Sequence, residues 1–119
     1  MGGHRILVVD DEPLIALMLQ DWLADLGHLT VGPVGSVKEA LRLAASETLH
    51  AAILDVTLSD GDCYEVAEAL RQRAVPIIFA TGLDAGSIDA RFHPALTLLK
   101  PFDLDMLVRV LDALPRPGA

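Results

Sequence analysis

A single cysteine, Cys63, is all the thiol in 119 residues. It has no partner for an internal disulfide, and with no second thiol or His-Cys cluster the sequence argues against a zinc site. A reducing, cytoplasmic setting is the expected one. Positive charge is also scarce: 9 Lys and Arg stand against 17 Asp and Glu, for a net charge of −8. That balance excludes binding to DNA, RNA or an anionic membrane through the general field of the domain. Long hydrophobic runs are missing too. Gly2-Gly3-His4-Arg5 leads into only four apolar residues before two acids, so a leader or membrane span is not expected and the chain reads as soluble and not exported. Aromatic residues make up 4% of the chain, and the lone tryptophan, Trp22, reads as core. His4, His28, His50 and His93 are scattered along the sequence and suggest no shared metal site.

What the chain does have is apolar content of 52%, ample for one core, and the length fits one domain over residues 1–119, with 115–119 as a short tail. Short apolar runs alternate with segments of helical period, the pattern of a parallel sheet with crossover helices, in five units. Pro13 opens a first helix that Gly27 stops, with Ile15, Met18, Leu19, Trp22 and Leu26 at helical spacing. Residues 29–34 read as an edge strand interrupted by Gly32 and Pro33. Ser36-Val37-Lys38-Glu39 is a capping box for a second helix ending near Ser46. A third helix runs from about Cys63 to Arg73, and a last one, capped by Asp103, from Leu104 to Leu114. Residues 82–95 hold two glycines and a proline, so a helix there is short or shifted, and the stretch from Gly82 to Pro94 is expected to be the mobile part of the domain. On the last helix Leu104, Leu107, Val108 and Leu111 are expected to face the sheet. Met106, Val110 and Ala113 form a second apolar stripe, read as a contact surface for a partner.

The chemistry-bearing residues follow the apolar runs. Asp10-Asp11 end Ile6-Leu7-Val8-Val9, Asp55 ends Ala51-Ala52-Ile53-Leu54, Thr81 ends Pro76-Ile77-Ile78-Phe79-Ala80, and Lys100-Pro101 ends Leu96-Thr97-Leu98-Leu99. If these runs are neighbouring parallel strands, three acids, a hydroxyl and a lysine meet at one carboxyl edge, where the acids need a cation to coexist. Each residue alone has a plainer structural role: helix N-terminal charge, turn or cap. Their joint placement at four strand ends is what points to handling of phosphate. A carboxylate accepts a phosphoryl group only where the incoming charge is neutralised, and Mg²⁺ on one side and Lys100 on the other would do so.

In this order and at these strand ends, the set resembles the receiver domain of bacterial two-component response regulators, over essentially the whole chain. The resemblance implies a flavodoxin-like, doubly wound α/β fold: a five-stranded parallel sheet in order 2-1-3-4-5 with helices on both faces, three layers in all. It implies Asp55 as phospho-acceptor, Asp10 and Asp11 as the acidic pair that holds Mg²⁺, and the backbone carbonyl of Thr57 as a further metal ligand. Thr81 would bond the phosphoryl group and Lys100 would pair with it, aimed by a cis Lys100–Pro101 bond. Thr97 stands where many receivers carry a switch aromatic. The segment Pro76-Ile77-Ile78-Phe79-Ala80-Thr81-Gly82-Leu83 resembles the FAT GUY subgroup, mostly stand-alone receivers, whose pattern is Pro-Phe-x-Phe-Ala-Thr-Gly and then Gly or Tyr; it departs at Ile77 and Leu83. Gly82 would free the backbone beside Thr81 to move.

The expected function is a switch that takes a phosphoryl group from a histidine kinase or phosphotransfer protein and changes its binding to a downstream protein, with a homodimer among the options. The domain would not be an enzyme in its own right but an acceptor that assists its own phosphorylation and dephosphorylation, without nucleic-acid or membrane contact. A Mg²⁺-dependent phosphohydrolase is second, weakened because Thr57 replaces the usual second aspartate. A non-phosphorylated interaction module is third.

Overall fold

The apolar runs alternate their side chains between two covered faces, which is why they read as nearly continuous hydrophobic segments. Ile6, Val8, Ala51, Ile53, Ile78, Ala80 and Leu98 fill one core, while Leu7, Val9, Val31, Ala52, Leu54 and Phe79 fill the other. The computed structural model describes residues 3–82 and 85–115. Its elements in chain order are β1 (Arg5–Val9), α1 (Pro13–Asp25), β2 (Leu29–Val34), α2 (Val37–Ser46), β3 (Ala51–Asp55), β4 (Thr57–Leu58), β5 (Gly61–Asp62), α3 (Tyr64–Gln72), β6 (Ile77–Thr81), β7 (Leu96–Leu99) and α4 (Leu104–Asp112).

The large sheet has the order β2-β1-β3-β6-β7, all parallel, and β4 with β5 form a separate small antiparallel hairpin. With the hairpin set aside, this is the expected order 2-1-3-4-5. Helices α1 and α4 cover one face through Leu19, Leu23, Leu107 and Val110; α2 and α3 cover the other through Ala40, Ala44, Val66, Ala67 and Leu70. The helix starts are chemically defined. Pro13 occupies the first turn of α1, Ser36 Oγ accepts from Glu39 N at 3.2 Å at the head of α2, and Asp103 Oδ1 accepts from Met106 N at 2.9 Å at the head of α4. The Lys100–Pro101 bond is cis as expected, and Gly32–Pro33 and His93–Pro94 are cis as well. No helix among the described residues is long and apolar enough to cross a membrane.

Two expectations are refined, the first in the direction the sequence indicates. Between β6 and β7 the described residues form no α-helix, only single 3₁₀ turns at Ala85–Ser87 and Ala90–Phe92, while Leu83 and Asp84 lie outside the described residues. Within it Ile88 and Phe92 are buried among α3 and Phe79. The second revision concerns α4. Val110 is only 8% exposed and Met106 packs on the same core, whereas Leu104 is 37% exposed. Val110 and Met106 of the expected partner stripe therefore belong to the core, and of the three only Ala113 is exposed. The helix carries apolar residues on several sides, so spacing alone leaves its rotation open. Phe102, just before the Asp103 cap, enters the core beside Trp22 with ring centroids 6.3 Å apart, and a hydrophobic residue there turns the fourth helical residue, Leu107, inward.

The rotation of α4 predicts that Val110→Asp lowers unfolding free energy by about 3 kcal/mol or more, as an unpaired buried charge does, while Leu104→Lys stays within about 0.5 kcal/mol. Urea denaturation of the two variants measures both.

Candidate functional site

Parallel register brings the expected residues together. Val9 pairs with Leu54, so Asp10 and Asp55 fall side by side, and Thr81 pairs with Leu99, so Lys100 follows on the far side. The backbone of Lys100 is tied to Thr81 by an N–H···O bond of 2.8 Å. Its side chain turns back across the edge: Nζ lies 3.2 Å from Asp10 Oδ2, 3.3 Å from Asp55 Oδ2 and 3.3 Å from Glu12 Oε1. Asp10, Asp55 and Thr81 are buried, and Asp11 is exposed at the mouth.

Crowding like charges in a buried place has a measurable consequence. Burial, and then the neighbouring Asp10, push the Asp55 carboxyl up from its ordinary 3.8 to about 6, against the opposing pull of Lys100 and the Thr57 N–H. Burial also works against the charge on Lys100, but the Asp10 and Asp55 carboxylates outweigh it and hold the ammonium above its ordinary value. The three aspartates offer oxygens within 4.8 Å of one another, the one such acid or imidazole group among the described residues. Asp10 Oδ2 is fully buried and, although an ammonium is near, accepts no hydrogen bond of good geometry. An all-oxygen donor set with an unsatisfied buried carboxylate oxygen fits a hard divalent cation such as Mg²⁺.

The other expected residues are placed less directly. Thr57 starts the β4–β5 hairpin, and its N–H donates to Asp55 Oδ1 at 3.3 Å. The hairpin tip is clamped from the far side: Asp60 Oδ1 accepts from Val37 N at 2.8 Å, and Asp62 Oδ1 caps α3 by accepting from Tyr64 N at 3.1 Å. Gly82 has no positive φ, and a Cβ there would meet nothing within 4 Å, so neither its conformation nor its surroundings require glycine. The glycine that matters is Gly35. A Cβ on it would come within 3.3 Å of Asp11 Cα, so its missing side chain lets the chain after β2 pass against the acid pair. Glu12 and Gly35 are the site residues that pattern reading misses. A close backbone approach leaves no trace in spacing, and a glutamate before Pro13 reads as an ordinary helix start.

The histidines, scattered in the sequence, form no metal-ligating group among the described residues, but three of them gather in space. His4, His28 and His50 each immediately precede a parallel strand, so register gathers them at the opposite edge of the sheet. His4 and His28 stack with centroids 5.5 Å apart, and His4 and His50 lie 5.1 Å apart. His50 Nδ1 accepts the Arg5 N–H at 2.8 Å, which leaves the ring proton on Nε2. Burial, and then His4, lower the His28 pKa.

The electrostatics of Asp55 set a pH dependence. Between pH 3.8 and about 6 the folded chain keeps a proton on Asp55 that the unfolded chain has released, so the contribution of this group to stability is fully present below the window and is lost as pH rises through it. In a chelator, the wild-type thermal midpoint should therefore fall relative to that of Asp55→Asn across this range. Above pH 6 the variant should be the more stable of the two.

A family model described as the response regulator receiver domain matches residues 6–112. The transcriptional regulatory protein TcrA of Mycobacterium tuberculosis is 36% identical over 99% of this chain and 48% of its own length. The solution structure of SdrG from Sphingomonas melonis Fr1 is 45% identical, with a TM-score of 0.82 over 93% of this chain and 95% of that one. TrrA of Thermotoga maritima, crystallised in complex with Mg²⁺-BeF, is 30% identical with a TM-score of 0.82, covering 94% and 99% of the two chains. The chain spans about half the length of the curated relatives it matches, 48% of TcrA and 44% of a staphylococcal LytR. Sheet order, the acid cluster with its lysine, and these likenesses together place the chain in the response regulator receiver domain family.

Proposed function

We propose that Asp55 accepts a phosphoryl group from a phosphohistidine donor and that the domain changes its binding to a downstream protein when modified. The observation that carries this reading is the ammonium of Lys100 held between Asp10 and Asp55 at the end of the central strand. In the transfer, an Asp55 oxygen attacks phosphorus, a P–O bond forms, and the P–N bond breaks with its electron pair going to the imidazole nitrogen. Asp10, Asp11, Asp55 and the Thr57 carbonyl would hold Mg²⁺, which when bound would supply charge neutralisation on the acid side. Lys100 would neutralise the other side, exchanging its carboxylate partners for phosphoryl oxygens of the same charge sign. Thr81, whose backbone already accepts from Lys100 N, would direct its hydroxyl to the same oxygens. The Thr57 N–H on Asp55 Oδ1 orients the carboxylate so that the other oxygen, Oδ2, is left to react beside Lys100.

The donor's docking surface is proposed to be the start of α1. Leu14 is 83% exposed and Leu17 53% exposed, one turn apart and directly after the acid pair. Large apolar side chains beside a reaction cleft are where a partner helix gains most from burial. A histidine kinase or histidine phosphotransfer protein is the expected partner, and a cytoplasmic setting follows from that chemistry.

Incubation with a small phosphodonor and Mg²⁺ should add one phosphoryl mass to the wild type and none to Asp55→Asn or to the wild type in chelator. Modification of Asp55→Asn, or transfer without a divalent cation, would overturn the assignment. The docking surface is tested separately. Leu14→Ala with Leu17→Ala should slow transfer from a phosphohistidine protein about tenfold or more and leave the small-donor rate unchanged; equal slowing of both would refute it.

A further inference from the structure

Glu12 has no assigned use in the acceptor chemistry. It sits at the N-cap position of α1, where a side chain ordinarily accepts a helix N–H, yet it makes no capping bond. Its carboxylate instead crosses the cleft, where Oε1 accepts a hydrogen bond from Lys100 Nζ at 3.3 Å, although the side chain is 61% exposed. Asp10 and Asp55 contact the same ammonium from inside the cleft at 3.2 and 3.3 Å. One ammonium thus has three carboxylates within ion-pair distance, two buried and one at the mouth.

Resting on the reading of Asp55 as acceptor, we infer that Glu12 is a positioning residue that holds Lys100 at the mouth of the cleft and makes the site discriminate among phosphodonors by their charge. A phosphoryl group arriving on Asp55 needs the lysine, so Lys100 must pass from Glu12 to the phosphoryl oxygens. Glu12 is then left unpaired beside a new anion, and every donor approaching the cleft meets its charge first. Asp10 and Asp55 cannot serve this role, because they lie behind the ammonium. An exposed unit charge a few ångströms from the donor, through a water-like dielectric, alters the encounter by about threefold for each negative charge the donor carries.

The test compares acetyl phosphate, a dianion near neutral pH, with phosphoramidate, largely a monoanion, each with saturating Mg²⁺ and followed by intact mass. Glu12→Gln should accelerate modification by phosphoramidate about threefold and by acetyl phosphate about tenfold, and the difference should shrink in about 1 M salt. Glu12→Asp keeps the charge with one methylene less and should retain the wild-type ratio between the two donors. An unchanged ratio in Glu12→Gln, or a Glu12→Asp variant that behaves like Glu12→Gln, would overturn the inference while leaving Asp55 as acceptor. A wild-type chain that gains no phosphoryl mass from either donor would overturn the acceptor reading, and this inference with it.

Discussion

The crowding of carboxylates around one ammonium at the end of the central strands is the constraint on which the rest of the site depends. Asp10, Asp55 and Glu12 converge on Lys100 Nζ, and Asp11 adds a fourth negative charge at the mouth. One lysine cannot balance them, and the strain is visible in Asp55, which holds its proton to about pH 6. A site in that condition accepts positive charge readily, and the same positive charge makes an anionic phosphoryl group tolerable there. Mutual repulsion within the cluster and competence to take up phosphate therefore have one cause.

The fold supplies the rigidity that keeps the acids from relaxing apart. Parallel pairing of β1 with β3 fixes Asp10 beside Asp55, and the pairing of β6 with β7 fixes Lys100 beside Thr81. Both faces of the sheet are buried under helices, so these strands cannot slip without exposing a core. The loops are tied down as well. The hairpin after Asp55 is clamped to the head of α2 through Asp60, and Gly35 lets the chain after β2 press against the acid pair.

Much of this was legible in the sequence because it rests on strand ends. An apolar run that stops at an acid, a threonine or a lysine marks both the strand and the residue at its carboxyl edge, and four such endings implied the sheet and its site together. What the sequence hid depends on three-dimensional neighbours. The rotation of α4 is set by Phe102 entering the core, which the leucine spacing of that helix could not reveal. The gathering of His4, His28 and His50 follows from strand register, although the three are far apart in the chain. Glu12 meets a lysine 88 positions away, and no local pattern encodes that contact. Between β6 and β7, the glycines and Pro94 correctly signalled a weak helix, but the burial of Ile88 and Phe92 depends on the space left by α3 and Phe79.

The central claim is that negative charge is held in excess at this edge by the fold itself. The most direct test is the thermal midpoint of the chain titrated with Mg²⁺ at neutral pH, for the wild type and for Asp55→Asn. The account predicts a midpoint that climbs with Mg²⁺ concentration as binding to the folded state requires, and a smaller climb from a higher starting point in the variant. A wild-type midpoint indifferent to Mg²⁺, or lower in the variant than in the wild type without the ion, would contradict it.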